Sequence, residues 1–346
     1  MKVSIITVCK NSEHTLERAI QSVVHQTYSN IEYIVIDGGS TDSTKEIINR
    51  YLHQIAHFVS EADDGVYQAM NKGIRLASGD WIYFVNSDDY LFDNNVIQDL
   101  VDFISTYIDC NFIYGDHEAR YTTGESNIHK PAPPEQMLEE MVSLGECMIQ
   151  PACFFQAELF RKLGLFNETY KIAADYEWFA RLLQDSSLKL GYYPRTLVSY
   201  AHGGLSGNIP ALFAEVFAIQ NSIPLYQQEP WLSKRNQKLQ QSFIEKYDLL
   251  ERTHQLSIKR LHHIEAVEAH VKNLEQQIQI LEVKLAQTTA NTSSPVVQIQ
   301  AELAALQNKA EALQNRITAM ETSKFWQLRT AWFKLKRRIG LPADNE

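Results

Sequence analysis

Two adjacent carboxylates close an apolar run in the stretch GDWIYFVNSDDYL, residues 79–91. Trp81 to Val85 favour a buried strand, so Asp88 and Asp89 stand where a core strand surfaces. Burial and mutual repulsion both disfavour two ionised carboxylates there. Three arrangements relieve the cost: capping of a following helix, a solvated turn, or a divalent cation that also neutralises a phosphate. Mg2+ and Mn2+ are held by one or two carboxylates plus phosphate oxygens, and this pair can supply the carboxylates. Asp37 ends a second apolar run, IEYIVID, just before Gly38, Gly39 and Ser40.

The elements that must position these acids alternate in type. VSIITV reads as a strand, followed by a helical pattern through Leu16, Ile20 and Val23, with Asn11 and Ser12 as caps. IEYIVID is the second strand and precedes a helix carrying Ile47 and Ile48. HFVS is a short third strand, and Val66, Met70 and Ile74 fall at helical spacing before the run at Trp81. Strand and helix in this order predict a parallel α/β sheet. Ligands of such sheets gather at the carboxyl ends of the strands, so Asp37 and the Asp88–Asp89 pair are expected to share a crevice. From 111 to 205 the pattern is mixed: NFIYGD, ACFFQ, LKLGYYP and TLVSYA read as strands, AELFRKLG and AADYEWFARLLQ as helices. Pro131, Pro133 and Pro134 mark a loop.

Composition bounds the function. The 346 residues are 45% hydrophobic and 21% charged, enough to bury a sizeable core. A formal charge of −10 argues against a general nucleic-acid binder. No apolar run is long enough to span a bilayer, and MKVSIITVCKNS reads as a first strand rather than a signal peptide. Cys9, Cys110, Cys147 and Cys153 have neither metal-ligand spacing nor a disulfide framework, so a reducing, cytoplasmic setting is expected.

Beyond residue 225 the composition turns to Gln, Glu, Lys and Leu. Ile264, Val267, Val271, Leu274, Ile278, Leu281 and Leu285 alternate spacings of three and four, a coiled-coil seam. A second seam runs through Ile299, Leu303, Leu306, Ala310, Leu313, Ile317 and Met320. The organisation expected is a globular domain over 1–225, a helical linker over 226–255, a coiled coil over 256–322 broken near 288–296, and a basic amphipathic helix over 323–341. The seams suit an intrachain hairpin, a homo-oligomer or a partner protein. The last helix carries six positive charges and no acid from Lys324 to Arg338, with Phe325, Leu328, Trp332, Leu335 and Ile339 on one face. It suits either the anionic inner face of a membrane or a cap on the coiled coil.

The segment SIITVCKNSEHTLERAIQSVVHQTYSNIEYIVIDGGSTDSTKEII resembles the opening of glycosyltransferase family 2. SEADDGVYQAMNKGIRLASGDWIYFVNSDD continues the likeness, and IAADYEWFARL and HGGLS resemble its later acceptor-side motifs, over roughly residues 1 to 210. The resemblance implies a GT-A fold, a Rossmann-like, doubly wound mixed sheet, and inverting transfer of a sugar from a nucleotide donor. The donor favoured is a UDP-sugar, and the acceptor a hydroxyl of a glycan or lipid-linked chain in bacterial surface polysaccharide synthesis.

Carried over residue by residue, the family pattern implies that Asp37 contacts the nucleobase, with helix capping as its plain structural role. Thr7 lies near the nucleoside, and Asp64 and Lys72 lie along the nucleotide; Asp63 and Lys72 otherwise read as a solvated face. Asp88 and Asp89 match the metal-binding acid motif, although Asn86 replaces its first acid. Asp88 then faces the donor diphosphate, and Asp89 is the cation ligand, for Mn2+ or Mg2+. Asp175 matches the catalytic base, at a helix N-terminus expected to keep it ionised; Glu177 is the runner-up on the acceptor side. Gln150 is implied in acceptor contacts, with Ile149 where relatives often carry His. His202, beside Gly203 and Gly204, is a further metal candidate.

Two rivals stand beside this reading. A nucleotidyltransferase or dinucleotide-dependent enzyme on a similar sheet lacks support, because no G-x-G-x-x-G follows the first strand and TVCKNSEHT carries no Gly-rich phosphate loop. The other is a non-catalytic coiled-coil scaffold on a degenerate domain.

Overall fold

The computed structural model describes residues 1–106, 109–143, 148–288 and 293–321. The chain divides into two compact units, Met1–Lys238 and Leu239–Glu346.

In the first unit, β1 (Val3–Cys9), β2 (Ile31–Asp37), β3 (His57–Ser60) and β4 (Trp81–Phe84) pair in parallel in the order β3-β2-β1-β4. Helices α1 (Leu16–Val24), α2 (Thr44–Arg50) and α3 (Val66–Leu76) connect them. Side chains alternate across a strand, and both faces of these strands are covered: Ile6, Ile34 and Phe84 belong to one buried cluster, Ile5, Val35 and Tyr83 to the other. This explains why the strands read as continuous apolar runs. Gly73 lets α3 lie against β1, since a Cβ there would stand 2.5 Å from the Ile6 side chain. Asn11 and Ser12 do not cap α1. The Asn11 N–H donates to Ser40 and the Ser12 N–H to Thr44, tying the turn after β1 to the turn after β2.

The sheet then turns mixed, through β5 (Tyr90–Leu91), α4 (Val96–Thr106), β6 (Phe112–Arg120), β7 (Ser126–His129), α5 (Met137–Ser143), β8 (Cys153–Gln156), α6 (Ala157–Leu163), α7 (Ala174–Leu182), β9 (Leu190–Ala201) and α8 (Ile209–Ser222). β8 runs antiparallel to β4 and β6, β9 parallel to β6, and β5 antiparallel to β9, while β7 pairs with the far half of β6. This is the mixed GT-A type of α/β sheet expected from the sequence. One detail departs from expectation. LKLGYYP and TLVSYA are not two strands but the single β9. Its register against β6 jumps from Gly115–Tyr193 to Asp116–Thr196, so Pro194 and Arg195 bulge out of the ladder. A proline has no N–H to donate, and a bulge accommodates that.

Helix α9 (Trp231–Thr288) runs without a break through the stretch expected to be a separate linker, and α10 (Ser293–Glu321) follows. In the second unit Ile264, Val271 and Ile317 form one buried cluster, with Val267, Leu313 and Met320 packed on it. These positions lie at similar distances along the chain on either side of residues 289–292, so the two helices pair antiparallel within the chain. The basic segment 323–341 and Cys147 lie outside the described residues. Among the described residues no helix is long and apolar enough to cross a membrane.

Candidate active site

β4 delivers the acid motif. After Phe84 the chain turns over Asn86, whose carbonyl accepts the Asp89 N–H at 3.1 Å. Asp89 is 1% exposed. Its carboxylate accepts the Ala201 N–H at 2.8 Å and the Asn86 amide at 3.2 Å. Burial first, then the charge of Asp88, pushes Asp89 up to about 7 against those two hydrogen bonds. Burial likewise raises Asp88. Arg120 of β6 fixes the turn from below: its guanidinium donates to the Asp88 carbonyl at 2.5 Å and lies 4.6 Å from the Tyr90 ring centre, over which Arg18 also stacks at 3.4 Å.

These residues fit a hard divalent cation. The Asn86 side-chain oxygen is buried and, among the described residues, has no hydrogen-bond partner. Among the described residues no other side chain bonds the Asp88 carboxylate, and the donors gathered here are all oxygens, the chemistry such cations take. His202 follows Ala201, whose N–H binds Asp89, and precedes Gly204, where a Cβ would stand 3.4 Å from the Asp88 carboxylate. Among the described residues no three His, Cys, Asp or Glu side chains converge as ligands, and the exposed His202 ring lies 5.0 Å from that of Tyr121.

On the nucleotide side, Asp37 is fully buried at the end of β2, held by Ser40 and by the Ser60 hydroxyl at 2.6 Å. It therefore closes its own turn rather than capping α2. Gly39 takes φ +80 there, where a Cβ would stand only 3.3 Å from Ala62, so this turn and the loop before α3 touch. Thr7 is buried in β1 and accepts the Tyr33 hydroxyl at 3.1 Å. Asp64 points outward, 86% exposed, and pairs with Lys171 at 2.9 Å. Its neighbour Asp63 is the buried acid, 4% exposed, paired with Lys72, which also holds Glu61 at 2.6 Å. Asp63 and Lys72 are thus a half-buried ion pair beside Gly38 rather than a fully solvated face.

Asp175 sits in the first turn of α7 with Tyr67 of α3 and Glu215 of α8 around it. The Asp175 carboxylate lies 2.9 Å from the Tyr67 hydroxyl and accepts the Tyr176 N–H at 2.8 Å. The helix N-terminus does not depress its pKa as expected. Burial dominates, the Glu215 charge adds to it, and the pKa is raised despite the two hydrogen bonds. Glu215 accepts the N–H groups of Lys171, Ile172 and Ala173 at 2.8–2.9 Å, anchoring the segment that leads into α7. Glu177 is committed to Arg181 at 2.8 Å, and that guanidinium also holds the carbonyls of Leu163 and Leu165. Gln150 is 3% exposed, and among the described residues its amide nitrogen has no hydrogen-bond partner.

One tyrosine links the two groups of acids. Burial raises the Tyr200 hydroxyl pKa, Ser206 lowers it by a hydrogen bond, and the fields of Asp89, Asp88 and Asp175 raise it further. The acid motif and Asp175, 86 residues apart in sequence, therefore lie within electrostatic reach of the same hydroxyl. Sequence reasoning missed Asp63, Tyr67, Arg120, Tyr200 and Glu215. Tyr67 lies on the quoted VYQAMNKG helix and Asp63 in the same acidic pair as Asp64, so both were within reach; nothing local marks the other three.

The profile described as Glycosyl transferase family 2 matches residues 4–164. A PGL/p-HBAD biosynthesis glycosyltransferase of Mycobacterium bovis is 28% identical over 214 residues, 60% of this chain and 79% of that protein. An uncharacterised glycosyltransferase of Mycobacterium tuberculosis is 33% identical over 180 residues, 52% of this chain and 68% of that protein. Among solved structures, S. aureus TarS 1–349 in complex with UDP-GlcNAc superposes with a TM-score of 0.53 at 17% identity, covering 100% of this chain and 94% of that one. The match to a longer TarS chain spans 42% of it. With its sheet, its acid motif and these relatives together, the chain belongs to glycosyl transferase family 2.

Proposed function

We propose that this glycosyltransferase moves a sugar, with inversion, from a nucleoside-diphosphate donor to an acceptor hydroxyl, and that Asp175 is the base. The observation that carries this reading is that Asp89 is bonded to the Ala201 N–H at the end of β9, while Asp88, Asp89 and Asp175 all lie within electrostatic reach of the neighbouring Tyr200 hydroxyl. A leaving diphosphate needs positive charge at one end of the reacting bond, and inversion needs a base across the sugar from it. A divalent cation bound at Asp88 and Asp89 supplies the charge that a departing diphosphate requires. Asp37 ends β2 and Thr7 lies near the end of β1, with the Asp63–Lys72 pair beside Gly38 just beyond them, and the carboxyl ends of such strands are where a nucleoside belongs. Asp175 accepts the acceptor's hydroxyl proton, and a base so placed contributes about 10²–10⁴-fold in rate.

A UDP-sugar is the donor we favour, supported by the likeness to TarS solved with UDP-GlcNAc. The acceptor is a glycan or lipid-linked chain of the bacterial surface, which fits the basic segment 323–341 and its suitability for an anionic inner membrane face. That setting is cytoplasmic and peripheral. Gln150, with its free amide nitrogen, is the acceptor contact we retain among the buried side chains.

Thermal unfolding of the whole chain with UDP, GDP, CDP or TDP, each with and without Mn2+, tests the donor half. A ligand at 100 times its Kd adds about 2.7 kcal/mol, a shift of a few degrees. The expected result is a shift with one nucleotide that requires Mn2+ and disappears in Asp89→Ala. A well-folded sample that responds to none of the four refutes the reading. For the base, Asp175→Asn should lose about 10²-fold or more in transfer rate while keeping that shift. Because the carboxylate must be ionised to act, the rate of the unaltered chain should fall as pH drops through a pKa lying above the ordinary 3.8.

A further inference from the structure

Tyr67 holds a position that the transfer reaction, as derived so far, does not use. Its ring is 6% exposed and packs against Phe166 at 5.6 Å between centroids. Its hydroxyl lies 2.7 Å from the Ile172 carbonyl oxygen and 2.9 Å from the Asp175 carboxylate. Both are acceptors when Asp175 is ionised, and a phenol has one proton to give. A single buried hydroxyl therefore serves two acceptors that cannot both be satisfied by a full hydrogen bond at once.

The surroundings hold this arrangement firmly. Tyr67 belongs to α3, and the rest of that helix grips the segment leading to α7. Asn71 exchanges hydrogen bonds with the Phe166 backbone at 2.9 and 3.0 Å, and Lys171 reaches back to the backbone and side chain of Asp64 at 2.9 Å. Glu215 pins the N–H groups of residues 171 to 173 from the other side. The Ile172 carbonyl and the Asp175 carboxylate thus keep fixed places around the phenol. Within this frame the torsion of its O–H bond chooses between the two acceptors.

We propose that Tyr67 is a positioning residue for Asp175, whose hydroxyl proton points to the carboxylate while that group is ionised and turns to the Ile172 carbonyl when the carboxylate gains a proton. This rests on Asp175 being the base. In the transfer step the acceptor's O–H bond breaks and a new O–H bond forms on Asp175. No proton leaves Tyr67; its own O–H merely changes acceptor, so the Ile172 carbonyl gains a donor as the carboxylate's demand for one falls. A hydrogen bond donated to the charged form favours that form, so Tyr67 keeps the base ionised in a site whose burial opposes this. The other groups facing Asp175 are the Glu215 carboxylate on α8, the Tyr200 hydroxyl on β9 and the Tyr176 N–H on its own helix. Of the side chains among them, only Tyr67 is within hydrogen-bond distance.

The test reads the Asp175 carboxyl directly and needs no substrate. In the full chain labelled with ¹³C-aspartate, its NMR signal is identified by its loss in Asp175→Asn. Tyr67→Phe keeps the ring against Phe166 and removes the hydroxyl. The Asp175 titration midpoint should move up by about one to two pH units, the worth of one hydrogen bond to a charged group. An unmoved midpoint overturns the proposal, whatever happens to the melting temperature, because a merely structural Tyr67 would alter stability alone. A fluorinated tyrosine at position 67 keeps the fold and strengthens the donor, so it should move the midpoint the opposite way; no movement there also overturns the proposal. The base reading is judged separately. If Asp175→Asn kept full transfer activity, Asp175 would not be the base, yet the Tyr67-dependent midpoint would still report whether the two groups are coupled.

Discussion

Glu32 shows how one buried carboxylate can be made cheap, in contrast to Asp89. It is 5% exposed and accepts four hydrogen bonds, from Lys2, the Ser4 hydroxyl, and the Ser78 N–H and hydroxyl, all at 2.6–2.7 Å. Burial would raise its pKa, but these donors outweigh it and bring the group down to about 2 from 4.5. A depressed folded-state pKa means stability that is present above pH 4.5 and lost as pH falls toward 2. Glu32→Gln should therefore cost about 1–3 kcal/mol at neutral pH. The gap between variant and unaltered chain should close in acid, which urea unfolding at a series of pH values would show. A constant gap down to pH 2 would mean that Glu32 acts by shape and not by charge. Asp89 has only two hydrogen-bond donors for a carboxylate at least as buried, so its charged form is left under-supported and its pKa rises instead of falling. Nothing in the local sequence distinguishes these two acids. The difference lies in partners supplied from residues 28 or more positions away, such as Ser4 and Ser78 for Glu32 and Ala201 for Asp89.

The seating of α3 on β1 sets the spacing between the nucleotide side and Asp175, since Tyr67, Asn71 and Lys72 all project from that helix. Gly73 is what permits the seating. Alanine there would put a methyl group 2.5 Å from Ile6, within a parallel sheet buried on both faces. Over-packing of this kind costs about 1–3 kcal/mol, more than the helix propensity gained by replacing glycine. Gly73→Ala should thus lower the melting temperature and, by lifting α3, weaken the nucleotide-dependent shift; an alanine variant as stable as the parent would refute the close-packing argument. The elements themselves differed in legibility for a physical reason. β1, β2 and β4 are buried on both faces and announce themselves as apolar runs, as does the helical spacing of α3. β5 is two residues long and β7 is exposed throughout, so neither leaves a hydrophobic signature. β9 reads as two strands because Pro194 interrupts the pattern, and only its pairing with β6 shows the interruption to be a bulge. The acids at the strand ends were legible for the same reason as the strands. Tyr200, Arg120 and Glu215 were not, because their roles arise from pairing partners distant in sequence.

The two units should separate at a cut that the structure fixes more narrowly than the sequence. Every candidate site residue lies before Lys238, as does the segment 4–164 that carries the family match. The sequence placed the boundary at residue 225, where the composition changes. Tyr226, one residue later, is fully buried. The start of α9 is also bound into the first unit, by Lys234 on Glu139 at 2.7 Å and by Arg235 on Asn221 at 2.8 Å. A chain ending at 238 keeps all of these, while a chain ending at 225 loses a buried tyrosine, for which removal of a large aromatic side chain costs about 3–5 kcal/mol. The 1–238 chain should therefore fold and show the same Mn2+-dependent nucleotide shift as the full chain, whereas 1–225 should melt several degrees lower or fail to fold. In the full chain, Val271→Asp should disrupt the buried cluster shared by α9 and α10 and lower the helical signal on heating, yet leave the nucleotide shift in place. If that shift vanished in 1–238 or in Val271→Asp, the helical unit would have to contribute to the donor site, and the assignment of all donor contacts to the first unit would fall.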